Sequence, residues 1–169
     1  MSDWDSTAHV TRFEIARVLS YLPALEAMRR SSDDAPPTRR GMDAVVDPEP
    51  EVVKRFRQDL YDSGLILYDF DWIQWEREHR VCSDVDAISR ADLETLRKVL
   101  TAHVRADRYF AGHLADVCQR GIIPAAVRRM AAVTRRAVSL ARREAKRSQH
   151  RHRTLRLLDG DSSAPARAG

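Results

Sequence analysis

The sequence predicts an all-α protein: a single compact helical domain of about five to seven helices, ending in a long basic C-terminal amphipathic helix. Three observations carry this. Apolar residues recur at three- and four-residue intervals over most of the chain, which is helical spacing and not the alternation of a strand. Glycine occurs only 6 times in 169 residues, and Gly64 and Gly121 stand where helices would stop. In the last third, Ile123, Ala126, Met130, Val133, Ala137 and Leu140 alternate by three and four. Arginine doublets at Arg128–Arg129, Arg135–Arg136 and Arg142–Arg143 repeat every seven residues beside that seam.

Taken in order, the first periodic segment runs from Thr7 to Arg30 on Val10, Phe13, Ile15, Ala16, Val18, Leu19, Leu22 and Leu25. Pro23 must kink or divide it. Residues 31–49, rich in Pro, Asp and Ser, read as a long loop. The stretch "EVVKRFRQDLYDSG" is a helix with Pro50 at its start, Glu51 in its first turn and Gly64 as its stop. "LILYDF" fits either a short strand or extended chain. Asp71 is placed to cap "WIQWEREHR", which sets Trp72 and Trp75 one turn apart. Ser89 and Asp92 precede Leu93, Leu96, Leu100 and Val104, a capping pattern. A further helix is expected from Asp107 to Arg120, burying Phe110, Leu114 and Val117. Pro124 suits the first position of the last helix, whose heptad seam breaks at Glu144. The expected domains are a helical core over 1–133, a basic helical extension over 134–153 and a disordered tail over 154–169.

Hydrophobic residues at 43% and charged residues at 32% are ordinary for a globular protein. Cys82 and Cys118 lack metal-type spacing and read as reduced thiols. The N-terminal stretch lacks the basic and apolar regions of a signal peptide, and no apolar run spans a bilayer. These features point to a cytoplasmic protein with no membrane contact. Residues 1–120 carry 17 Lys/Arg against 22 Asp/Glu, and residues 121–169 carry 12 against 3. An acidic body with a basic end suggests an anionic partner, nucleic acid or an acidic protein, or a tail folded onto its own body. The polyanion-binding candidates are Arg128, Arg129, Arg135, Arg136, Arg142, Arg143, Lys146 and Arg147. Met130, Val133, Ala137 and Leu140 are candidates for self-association.

Thr101, Arg105, Arg108 and Gly112 fall at i, i+4, i+7 and i+11, and a continuous helix would show them on one face. With Asp71 and Tyr109 they form a candidate ligand site, because paired guanidiniums beside a hydroxyl fork onto carboxylate or phosphate. The same arginines could instead pair internally with Asp71, Asp107 or Asp116, with Gly112 easing helix approach. His103–Asp107 and His113–Asp116 are the best acid–base couples, but no nucleophile or oxyanion donor accompanies them, so no catalytic residue is assigned. Asp69, Asp71, Glu76 and His79 read as an exposed acidic turn, and His150 and His152 as part of the basic run. No metal or other cofactor is expected. Residues 113–133 can be laid on a helix-turn-helix, with Val117 in the first helix, Gly121 at the turn, Val127 and Met130 packing the second, and Arg128 and Arg129 facing DNA.

The segment "ADLETLRKVLTAHVRADRYFAGHLADVCQRGIIPAAVRRM", with "YLPALE" and "YDFDWIQW" upstream, carries Thr101, Arg105, Arg108–Tyr109, Gly112, Gly121 and the Asp71–Trp72 pair. In these it resembles a family of small bacterial and phage proteins catalogued only as a domain of unknown function. The resemblance spans roughly residues 20 to 133 and implies no activity, and the basic helix runs on past it. The expected function is a non-catalytic interaction module whose basic helix contacts an anionic partner. The alternatives are the helix-turn-helix corner binding DNA and a small anionic-ligand or catalytic pocket around Arg105 and Arg108.

Overall fold

The computed structural model describes residues 11–33 and 49–159. Among them the chain is helical, with no strand: α1 (Arg12–Leu19), α2 (Leu22–Asp33), α3 (Glu51–Asp62), α4 (Trp72–His79), a 3-10 turn (Val81–Ser83), α5 (Val85–Arg90), α6 (Leu93–Ala106), α7 (His113–Gln119) and α8 (Ile122–Asp159). The chain divides into two compact units, Met1–Ala132 and Val133–Gly169. Helix α2 extends through Asp33 into the expected loop at 31–49, and α8 extends through Asp159 into the expected tail at 154–169. Residues 34–48 and 160–169 lie outside the described residues.

A capping box sets the first helix. The Thr11 side chain accepts from the Glu14 N–H while the Glu14 carboxylate accepts from the Thr11 N–H, so the helix begins at Arg12. The expected start at Thr7 lies outside the described residues. The break between α1 and α2 falls at Ser20–Tyr21, ahead of Pro23. Pro23 sits in the first turn of α2, where its missing N–H would have had no helical partner. Ile15, Val18 and Leu25 are buried, but Phe13 is 88% exposed. It lies two residues from Ile15, about 200° round the helix, and so faces outward.

Helix α3 packs on α1 through a shared polar contact. Tyr21 places its ring edge-on to Phe56 at 5.6 Å and donates its hydroxyl to Asp59 at 2.8 Å. Arg17 pairs with the other oxygen of Asp59. The helix ends in a Schellman turn: the Gly64 N–H donates to Tyr61 O, and the Leu65 N–H to Leu60 O.

The segment after that turn, residues 64–70, is irregular and pairs with no strand. Helix α6 supplies what a sheet would have supplied. Arg97 donates to the carbonyls of Gly64 and Leu65 at 2.9 and 3.3 Å. Thr101 accepts from the Leu67 N–H at 3.0 Å. Arg105 donates to the carbonyls of Leu67, Tyr68 and Phe70. These three side chains stand at i, i+4 and i+8, one above the next on α6. Leu65 and Ile66 are thereby held in the core, with both backbone groups of Leu65 satisfied.

Asp71 caps α4 by accepting from the Gln74 N–H at 3.0 Å, and Asp92 caps α6 through the Thr95 N–H at 2.8 Å. The helix expected from Asp107 to Arg120 is shorter, running His113–Gln119. Residues 107–112 turn back instead, with the Tyr109 and Phe110 N–H groups both donating to Ala106 O. Phe110, expected in the core, is therefore 66% exposed. Asp107 accepts from the Leu114 N–H at 2.8 Å, doing the capping that Gly112 has no side chain to do.

The first turns of α8 are apolar nearly all round: Ile122, Ile123, Ala125, Ala126, Val127 and Met130 are buried. Pro124 is the third residue of this helix and not the first, still within the turn whose N–H groups lack partners. At the α7–α8 corner Gly121 has φ +83°, and a Cβ there would sit 2.8 Å from Cδ of Arg29 on α2. Gly121→Ala should cost about 1–2 kcal/mol of left-handed backbone strain, and displacing Arg29 adds to it. In urea denaturation it is expected to exceed Gly64→Ala, where φ is +65° and nothing lies within 4 Å of the added carbon.

Candidate functional site at the end of helix α6

A groove of about 170 Å³ opens where α6 ends, lined by Tyr61 of α3, Ile66 and Tyr68 of the irregular segment, Trp72 of α4, and Arg105, Arg108 and Tyr109. The α6 contacts to residues 64–70 fix its walls, because they hold Ile66 and Tyr68 beside the helix. Trp72 is half-buried against the core, while Tyr68 and Tyr109 are 70% and 75% exposed.

Of the sequence-predicted ligand residues, Arg105, Arg108 and Tyr109 line the groove and Thr101 and Asp71 do not. Thr101 is fully buried, donating to Arg97 O at 2.8 Å while it holds Leu67. Asp71 is an exposed helix cap. The continuous helical face expected for Thr101, Arg105, Arg108 and Gly112 does not exist, because α6 ends at Ala106. Arg108 lies in the turn beyond it, and its guanidinium has no partner among the described residues. Gly112 caps α7 with φ +82° and open space at its Cβ, so a backbone requirement and not helix approach explains it. Sequence reasoning missed Tyr61, Ile66 and Tyr68. It also missed Arg97, 3% exposed inside an amphipathic pattern.

The expected acid–base couples do not form. The ring of His103 faces His113, with Nδ1 3.0 Å from Nε2 of His113, and its own Nε2 lies 3.0 Å from Cys82 O. Since a carbonyl only accepts, Nε2 of His103 carries the proton and Nδ1 accepts from His113. Asp107 instead takes Arg57 at 2.6 Å, and Arg57 also forks onto both oxygens of Glu49 at 2.8 and 3.0 Å. Asp116 meets Arg120 at 3.5 Å. Burial pushes the thiols of Cys82 and Cys118 up to about 12, with Glu76 adding to the first and Asp107 and Glu49 to the second. Thiols held protonated in this way are poor nucleophiles. A larger, open depression bounded by Glu76, Arg77, Arg80 and Asp84 carries both signs of charge and no such aromatic wall.

Of the acidic-turn residues, His79 stacks on Trp75 and lies 2.9 Å from its carbonyl. Among the described residues no three His, Cys, Asp or Glu side chains gather as metal ligands. No described helix is long and apolar enough to cross a membrane.

The helix–glycine–helix corner has Val117, Val127 and Met130 buried and Gly121 at its turn. Its two arginines have internal partners. Arg128 pairs with Glu26 of α2 at 2.6 Å, and Arg129 donates to the carbonyls of Ala91 and Arg90 at 2.8 and 3.4 Å. Further along α8, Arg135, Arg136, Arg142, Arg143 and Lys146 are exposed. The side chains of Arg147, His150 and His152 lie outside the described residues.

A family of unknown function, DUF6508, matches residues 10–136. The chain belongs to that family. The match bears out the family resemblance read from the sequence, and it takes in the groove and all of α1–α7. It ends at Arg136, ahead of Arg142, Arg143 and Lys146. No curated protein and no solved structure matches the chain.

Burial pushes the pKa of His103 down from 6.5 to about 4; the Cys82 carbonyl opposes this, and His113 and Arg120 add to it. The unfolded chain thus takes up this proton first. The contribution of the neutral ring is complete above about pH 6.5 and is lost as pH falls toward about 4, amounting to roughly 2–3 kcal/mol. Urea unfolding from pH 7.5 down to 4.5 should show that loss in the parent and much less of it in His103→Gln. Arg105→Ala should cost about 2–4 kcal/mol by leaving three carbonyls of residues 67–70 without their charged donor. The same variant should shift tryptophan emission, because Trp72 shares the groove with Arg105.

Proposed function

We propose that this protein is a non-catalytic interaction module that contacts an anionic partner, nucleic acid first among the candidates, through the exposed basic residues of α8 beyond residue 133. The observation that carries the reading is a change in how arginines are used along one helix. Arg128 and Arg129 are engaged by the first unit, through Glu26 and through the carbonyls of Arg90 and Ala91. Arg135, Arg136, Arg142, Arg143 and Lys146 are exposed instead. Residues 133–169 hold 10 Lys/Arg against 3 Asp/Glu.

Doublets seven residues apart lie two turns apart with about 20° of drift, so they form one stripe. A stripe of this kind suits a regular row of phosphates or carboxylates and binds by releasing counterions. Base readout from the corner is less well supported, since the arginines it would use already hold internal partners. Self-association through the seam is narrowed in the same way. Met130 is fully buried in the first unit, leaving Val133, Ala137 and Leu140. The groove lacks a nucleophile–base pair, which favours binding over catalysis.

The test compares the full chain with a variant carrying Arg135→Gln, Arg136→Gln, Arg142→Gln and Arg143→Gln, titrated with duplex DNA and with RNA at several salt concentrations. The parent should bind with steep salt dependence, and the variant should bind weakly with a log–log slope shallower by about 3. Circular dichroism should report the same helix content in both. Equal binding by parent and variant, or binding indifferent to salt, overturns the reading.

A further inference from the structure

We propose that the groove at the end of α6 binds single-stranded nucleic acid, stacking a base against its aromatic wall and holding an adjoining phosphate on Arg108. The site lies wholly within the first unit and does not depend on the reading of α8. Its lining is mostly aromatic, with Tyr61, Tyr68, Trp72 and Tyr109 beside the two guanidiniums, and no carboxylate lines it. Arg105 and Arg108 differ in what they have left to offer. Arg105 donates to three backbone carbonyls, which fixes its guanidinium in the groove lining. Arg108 is exposed, and its guanidinium has no partner among the described residues, so an arriving anion displaces nothing but water.

Size decides what kind of ligand fits. Pockets that enclose whole small molecules run to about 300–1,000 Å³, whereas this groove holds about 170 Å³. That is close to the ~150 Å³ known to take a single benzene ring. One ring enters, and the rest of any ligand must run over the surface. The surface beside the groove continues the same chemistry: Tyr109 is 75% exposed and Phe110, next in the chain, 66% exposed. Exposed rings beside an unengaged arginine form a stacking platform for successive bases, each of which offers a flat face. A duplex hides those faces, so the expected occupant is a single strand.

The test follows binding of a short single-stranded oligothymidylate to the full chain by anisotropy and by quenching of tryptophan emission. Tyr68→Ala and Tyr109→Ala should each weaken binding by about tenfold or more. Their thermal melts should match the parent, because both rings are mostly solvent-exposed. Arg108→Ala should weaken binding and reduce the log–log salt slope by about 0.7. In the four-arginine α8 variant affinity should fall, but the tyrosine substitutions should still weaken it by the same factor, so the two sites can fail separately. Binding unaffected by the tyrosine substitutions overturns the proposal. So do equal affinity for thymidine 5′-monophosphate, preference for duplex, or binding of an acidic tyrosine-containing peptide in place of the oligonucleotide.

Discussion

The fold depends on how α6 satisfies a stretch of chain that has no secondary structure of its own. Residues 64–70 leave a helix, enter the core with Leu65 and Ile66, and must come out again without a strand to pair with. A buried peptide group without a partner costs several times what an ordinary hydrogen bond contributes. Arg97, Thr101 and Arg105 meet that demand from three successive turns of one helix. Both donors are guanidiniums, whose forked N–H groups can serve neighbouring carbonyls at once, and the Thr101 hydroxyl accepts the Leu67 N–H between them. Because the segment lies along α6, it brings Tyr68, and Trp72 after it, into the same groove as Arg105 at the helix end. The groove is thus a by-product of a packing solution.

Elsewhere too, polar side chains hold irregular backbone. His103 reaches the Cys82 carbonyl at the 3-10 turn, Asp107 holds the start of α7, and Arg129 secures the end of α5. Arg57 ties Asp107 to Glu49, so α3, the α6 terminus and the chain entering α3 share one network. Short helices joined by tight turns leave many terminal N–H and C=O groups, and long polar side chains are the available partners. Other basic residues are not used in this way, among them Arg108 at the groove and Arg135, Arg136, Arg142 and Arg143 on α8. Function is best sought where a costly side chain carries no structural duty.

Much of the fold was legible because it rests on local rules. The caps at Asp71 and Asp92, the stops at Gly64 and Gly121 and the apolar faces of α3 and α6 follow from short-range hydrogen bonding and helical period. The errors came where a local pattern had two outcomes. Asp107 to Arg120 has helical spacing throughout, yet the Asp107 carboxylate is drawn to Arg57 and Leu114, and the chain turns at once. That one diversion exposes Phe110 and takes Arg108 off the α6 face. It also leaves His103 to pair with His113 in place of Asp107. The candidate site was half legible: Arg105, Arg108 and Tyr109 were named together, but Tyr61, Ile66 and Tyr68 come from elements more than thirty residues away in the chain.

By itself the sequence determined the all-α class, the placement of most helix ends, the family and the separation of an acidic body from a basic end. Those properties depend on residue order within a few turns, or on composition alone. Only the tertiary structure decided which arginines are structural. Arg97, Arg105, Arg128 and Arg129 are chemically the same as Arg108, Arg135 and Arg142, and no local rule separates them. What separates them is whether a carbonyl or carboxylate from a distant part of the chain arrives within about 3 Å, which folding alone settles.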